Sequence, residues 1–206
     1  YTTTDERNKQ KKIVSNYYLR SILSNSLSFS EHEFKECVEL NGLRINQDGP
    51  MQLVIVKFDN QTELFNQISH NQRTLFLFAV SNIAEEIFSN GTCSCEVVDM
   101  RGDHLIIILS GEGASDHVQE DVYARLKQIQ DIVLDYYKLS VTMTISDIMM
   151  SHRDITSSYN QALQNSMYKL LFGKKAIITP EKVRSNNEQL EYHIPSELEK
   201  KLIEAI

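Results

Sequence analysis

Apolar residues follow two rhythms along this chain, one of strands and one of helices. From Glu96 to Leu109 it reads EVVDMRGDHLIIIL, two apolar runs (Glu96–Met100 and His104–Leu109) joined by Arg101-Gly102-Asp103. Glycine followed by an acidic residue between β-rich runs predicts a tight hairpin, because such a turn needs residues that tolerate positive φ. The second run is apolar on both faces, the mark of a central strand covered on both sides. Gln52–Phe58 (QLVIVKF) has the same character. Leu139–Ile145 alternates Ser140, Thr142 and Thr144 with Val141, Met143 and Ile145, and Ala176–Ile178 is a short strand.

Helical spacing appears in Gln72–Ser89, with Leu75, Phe76, Ala79, Ile83, Ile87 and Phe88 on one stripe. It recurs in Val118–Tyr137 and in Asp154–Phe172, which Gly173 ends. Two more helices precede the first strand. One is amphipathic, about Lys12–Ser24; the other opens on the capping box Ser30-x-x-Glu33 and stops at Asn41-Gly42. Gln61–Asn71 and Gly111–His117 read as loops, and Pro180–Gln189 as a polar linker. From Met51 the order is strand, helix, hairpin, helix, strand, helix, short strand. That is the split βαβ order of a ferredoxin-like sheet, so the expected class is α/β (α+β) with a mostly antiparallel sheet.

Composition narrows the function. A hydrophobic share of 41% over 206 residues supports a real core, and a net charge of −7 argues against a surface built for phosphate backbones. No apolar run is long enough to span a membrane, and no signal-peptide pattern is present. Cys37, Cys93 and Cys95 read as small half-buried thiols in a reducing compartment, which points to the cytoplasm. The basic cluster Arg7, Lys9, Lys11 and Lys12 fits a juxtamembrane segment or, more plainly, a solvated helix start. The histidines lack metal-ligand spacing, and no nucleophilic triad follows from residue order. Both ends read as cut from a longer protein, with Ser196–Ile206 breaking off in an amphipathic helix.

LVIVKFDN followed by VVDMRGDHLIIIL resembles the GGDEF domain of diguanylate cyclases in a degenerate form, from about Met51 to about Pro180. TSSYNQALQNSMYKLLFGKKAII stands where that family has its closing helix, glycine and last strand. With NYYLRSILSN before the sheet and YHIPSELEKKLIEAI after it, the style is that of the GGDEF-like domain of AraC-type transcriptional regulators of Gram-positive bacteria. The resemblance implies three parts: an N-terminal helical connector (1–45), the degenerate domain (46–183), and a linker with the start of a helix (184–206) leading to a DNA-binding domain.

Within the resemblance, the signature pentapeptide is Arg101-Gly102-Asp103-His104-Leu105. Arg101 replaces a glycine that lets backbone approach the nucleotide. His104 replaces an acidic metal-binding residue, Lys57 replaces the leading metal-binding aspartate, and Asp59 keeps the second acidic position. Two-metal phosphoryl transfer needs hard oxygen ligands, and Lys57 puts a cation where a cation should bind. NQTELFNQISHNQR also lacks the family's nucleotide-reading pattern. The expectation is therefore a non-catalytic module with no cofactor and no metal. It would act as a homodimer through Tyr18, Leu19, Ile22 and Leu23, between an upstream sensor (membrane-tethered or receiver) and a downstream helix-turn-helix domain. DNA would be met only through that second domain. The competing expectation is a sensor binding a nucleotide or other small anion at Lys57, Asp59 and Arg101. Asp59 and Asp103 could also serve plain turn chemistry. His104 could be a pH-sensitive group or a strand-end histidine with one hydrogen-bond partner.

Overall fold

The computed structural model describes residues 2–24, 30–59, 68–101, 103–111 and 116–191. In chain order the elements are α1 (Thr2–Leu23), α2 (Glu31–Asn41), β1 (Met51–Phe58), α3 (His70–Ser89), β2 (Cys93–Asp99) and β3 (Leu105–Gly111). There follow α4 (Asp116–Tyr137), β4 (Val141–Ile145), α5 (Ile155–Asn165), α6 (Lys169–Phe172), β5 (Ile177–Ile178) and α7 (Pro180–Glu191). The sheet runs β2-β3-β1-β4-β5, antiparallel except for the parallel β4–β5 edge. β3 lies between β1 and β2, and β1 between β3 and β4, so two split βαβ units interlock as the element order predicts.

Both faces of the sheet are covered, which is why β1 and β3 are almost continuously apolar. On one face Val54, Val56, Ile107 and Met143 meet Val80 and Phe88 of α3 and Leu126 and Val133 of α4. On the other, Leu53, Ile55, Ile106 and Ile108 meet α1, α2 and α5 through Leu19, Leu23, Phe34, Val38, Ile155 and Tyr159. Thr142 and Thr144 do not face water as their alternation suggests: a second helical layer buries them too.

The N-terminal helices therefore pack on the sheet. Leu19, Ile22 and Leu23, expected at a dimer interface, are 3%, 7% and 0% exposed within their own chain. Tyr18 is half-buried and meets Tyr17 edge-on, ring centroids 5.9 Å apart. The physical reason is that α1 has one broad apolar stripe and the sheet face needs covering. Among its described side chains, the large apolar ones that α1 leaves to solvent are Ile13, Val14 and Tyr17. The helix is also tied by polar contacts, Thr156 Oγ1 donating to Ile22 O (2.8 Å) and Lys12 pairing with Glu85 (3.2 Å).

Local signals hold where they were strong. The Ser30–Glu33 capping box forms in both directions, and Gly42 closes α2 in the left-handed region at φ 63°. α3 starts earlier than its apolar stripe, because Ser69 and Gln72 make a second capping box. Pro180–Gln189 is not a linker but the body of α7. Pro180 takes the first helical position and Thr179 Oγ1 accepts from Lys182 N (3.3 Å), while Val183 is buried. The single helix expected over Asp154–Phe172 is broken by a 3₁₀ turn at Ser166–Tyr168. There Ser166 Oγ donates back to Leu163 O (2.6 Å), a bond that competes with the helical ladder. The expected helix Ser196–Ile206 lies outside the described residues. Among the described residues no helix is long and apolar enough to cross a membrane.

Candidate functional site

The register that pairs Val56 with Leu105 sets Lys57 and His104 opposite each other, on the face that α5 covers. The loop between β2 and β3 is closed by Met100 N donating to His104 O (2.9 Å) and Asp103 N to Met100 O (3.3 Å). Arg101 is exposed and takes the left-handed conformation, φ 56°, that the turn demands and that glycine would adopt without strain. Gly102, read as the turn glycine, lies outside the described residues.

His104 is buried, with both ring nitrogens engaged. Nδ1 lies 2.6 Å from Asp103 Oδ2 and Nε2 3.0 Å from the Tyr159 hydroxyl. A neutral ring protonated on Nδ1 satisfies both: it donates to Asp103 and accepts from Tyr159. Burial pushes the His104 imidazole below its ordinary value, and Asp103 opposes this without reversing it. The His104 hydrogen bond holds the Asp103 carboxyl down, and burial pushes the Tyr159 phenol up.

These shifts carry a prediction. Because folding lowers the His104 value, the folded state resists a proton that the unfolded chain accepts near 6.5. Stability is fully present above that point and is lost as pH falls below it through the lowered folded value. Urea unfolding between roughly pH 7.5 and 5.5 should show this decline, and His104→Phe should flatten it. An unchanged slope in the variant would show that His104 is not the responsible group.

Lys57 is half-buried and donates to Ser166 Oγ (3.1 Å). Burial pushes its ammonium down, Asp103 opposes, and the neighbouring Lys169 charge adds to the fall. Asp59, at the end of β1, is anchored by its amide donating to Ser140 O (2.8 Å). Thr142 Oγ1 (2.7 Å) and Lys169 Nζ (2.6 Å) meet its Oδ1; Ser140 Oγ (2.5 Å) and Lys175 N (2.9 Å) meet Oδ2. A carboxylate has about four lone-pair sites, and four donors fill them. Burial alone would raise the Asp59 pKa, but these donors outweigh it and hold it below the usual range.

The structure thus gathers Lys57, Asp103 and His104 into one corner with Tyr159, Ser166 and Lys169, which the sequence reading did not single out. Tyr159 was legible only as a member of a helical stripe. Lys169 and Ser166 gave no signal, because their partners on β1 are more than 100 positions away. Asp59 shares Lys169 with that corner, but its other donors are Ser140, Thr142 and the Lys175 amide, and it is spent on structure.

A family model described as the GGDEF-like domain matches residues 38–164. The chain belongs to the GGDEF-like domain family. The match begins within α2, upstream of the expected boundary at residue 46, in keeping with the packing of α2 on the sheet. Among solved structures, an EAL/GGDEF domain protein from M. capsulatus is similar at 18% identity and a TM-score of 0.52, over 67% of this chain and 89% of that one. A sensory box/GGDEF family protein from Caulobacter crescentus is similar at 13% identity and a TM-score of 0.46, over 73% of this chain and 90% of that one. The first of these likenesses supports the fold and nothing finer. No curated protein matches the chain.

The three cysteines of this GGDEF-like domain are free and buried. Burial, with Glu85 and Glu96 nearby, pushes the Cys95 thiol up to about 12, far from a reactive thiolate.

Proposed function

We propose that this GGDEF-like domain is a degenerate, non-catalytic transmission module of a bacterial AraC-type transcriptional regulator. The observation that carries the reading is the pair of facing strand positions occupied by Lys57 and His104. A cationic side chain and a neutral imidazole held by Asp103 and Tyr159 stand where two-metal chemistry needs carboxylates. Asp59, the remaining acidic position, has its oxygens filled by four internal donors. The regulator context rests on the likeness of the segments flanking the sheet. In this reading the domain works as a cytoplasmic homodimer between an upstream sensor and a downstream helix-turn-helix domain, and its self-contact uses the exposed Ile13, Val14 and Tyr17 of α1.

The purified protein is expected to form no cyclic di-GMP from GTP with Mg²⁺ or Mn²⁺. Measurable turnover that disappears in Asp103→Asn or Asp59→Asn would overturn the reading. A second reading, an anion sensor, is favoured by one observation: the half-buried Lys57 ammonium hydrogen-bonds only a neutral hydroxyl among the described residues, and Lys169 offsets part of the attraction from Asp103. Calorimetry with GTP and cyclic di-GMP separates the two, since a heat of binding lost in Lys57→Met would select the sensor.

A further inference from the structure

A cleft of about 750 Å³ opens at the end of the sheet opposite Lys57 and His104. The start of α4, the end of β4 and the β5–α7 junction form its walls. Its size lies within the range of small-molecule sites. Gln52, on β1, lines it and is only 7% exposed. Its Nε2 donates to Ser146 O (2.9 Å) and to Gln119 Oε1 (3.2 Å). These two bonds settle both amides. Gln52 keeps its carbonyl oxygen, and Gln119 its amino group, without a partner among the described residues. That carbonyl oxygen is not sealed away: it opens to the cleft, where a ligand N–H can take the place of water.

The remaining lining decides the ligand's charge. Asp116, Glu120, Asp147 and Glu181 bring four carboxylates to the cleft, beside the ring of Tyr123. The chain itself shows what this lining accepts. The Arg184 guanidinium reaches Asp147 (3.2 Å) and Glu181 (3.1 Å), and the Lys182 ammonium lies 5.5 Å from the centre of the Tyr123 ring. Among the described residues Asp116 makes no ion pair and Glu120 meets only the exposed His117, at 3.8 Å, which leaves both for an external charge. The first turns of α4 and α7 would by themselves favour an anion, but Asp116 and Glu181 stand in those turns and offset it.

We propose that this cleft binds a small organic cation of the amine or guanidinium class, its N–H completing Gln52 Oε1 and its charge held by Asp116 and Glu120. Because Thr179, Pro180 and Glu181 line the cleft, occupancy would bear directly on the start of α7, the last described helix. The site is separate from the Lys57–His104 corner, so its fate does not depend on the GTP result.

The test is thermal shift and calorimetry on the whole chain with agmatine and spermidine at up to roughly 10 mM, a concentration at which weak binding still moves the midpoint. Both cations are expected to raise it. Asp116→Asn combined with Glu120→Gln changes two surface side chains at the start of α4. It should weaken binding by about tenfold or more, the scale of a lost charge-assisted hydrogen bond. No shift with either cation, or a shift undiminished in the double variant, would overturn the proposal.

Discussion

Asp59→Ala is expected to lower the unfolding free energy by about 3–5 kcal/mol, the scale of removing one partner from a buried ion pair. The Asp59 carboxylate is 2% exposed and ties four segments of chain together: the end of β1, Ser140 and Thr142 at the start of β4, Lys169 in α6, and the Lys175 amide before β5. Alanine would leave the Ser140 and Thr142 hydroxyls, the Lys175 amide and the Lys169 ammonium without their common acceptor. Lys169→Met should cost less, since Asp59 keeps three donors, and the double variant should cost less than the sum because the two residues share one interaction. Chemical denaturation followed by circular dichroism measures all three. A loss below about 1 kcal/mol for Asp59→Ala would mean that the carboxylate is not a structural clamp, and the case against a ligand role there would fall with it. The sign with pH follows from the lowered Asp59 value: its contribution is present above about 3.8 and is lost as pH falls through the folded value.

Leu23→Ala should cost about 2–5 kcal/mol, the range for truncating a fully buried leucine. Leu23 is 0% exposed in the cluster that α1, α2 and α5 form on the sheet. This outcome separates two views of α1. If α1 were a free connector whose apolar residues met only a second copy, Leu23→Ala would change the oligomer and leave monomer stability alone. Ile13→Glu is the counterpart. Ile13 is 64% exposed, so stability should stay within about 0.5 kcal/mol. Light scattering on that variant would then report on self-association without the confusion of an unfolded core. A large loss of stability in Ile13→Glu, with none in Leu23→Ala, would reverse the assignment of the two faces.

The difference between the buried residues of α1 and Ile13 could not be read from spacing. A helix stripe says which residues seek burial but not whether the covering surface belongs to the same chain. Ile13, Tyr17, Leu19, Ile22 and Leu23 are alike in type, and only the position of α1 on the sheet divides them. Lys57 and His104 were legible as odd residues in strand positions, but the register that sets them opposite each other belongs to the β1–β3 pairing, which no local turn dictates. Their partners were not legible: Tyr159 and Ser166 come from a helix whose pitch changes at a 3₁₀ turn, and Lys169 lies just beyond it. Pro180 could have been read as a helix start, because Thr179 before it is a capping residue, but high polarity made the stretch look like a linker. Past Pro180 itself, Val183 is its one buried side chain among the described residues.

By itself, then, the sequence determined the order of strands and helices, the doubly covered character of β1 and β3, the hairpin and the first helix caps. These follow from period, turn chemistry and local hydrogen bonds, all of which act over a few residues. The tertiary structure alone decided that the N-terminal helices complete the core, that Asp59 is consumed by four donors, that His104 is gripped from both sides, and that Gln52 and Gln119 hold an open acceptor and donor at a cleft. Each of these joins groups tens of residues apart. Their distances are set by how the elements pack, which no local pattern encodes.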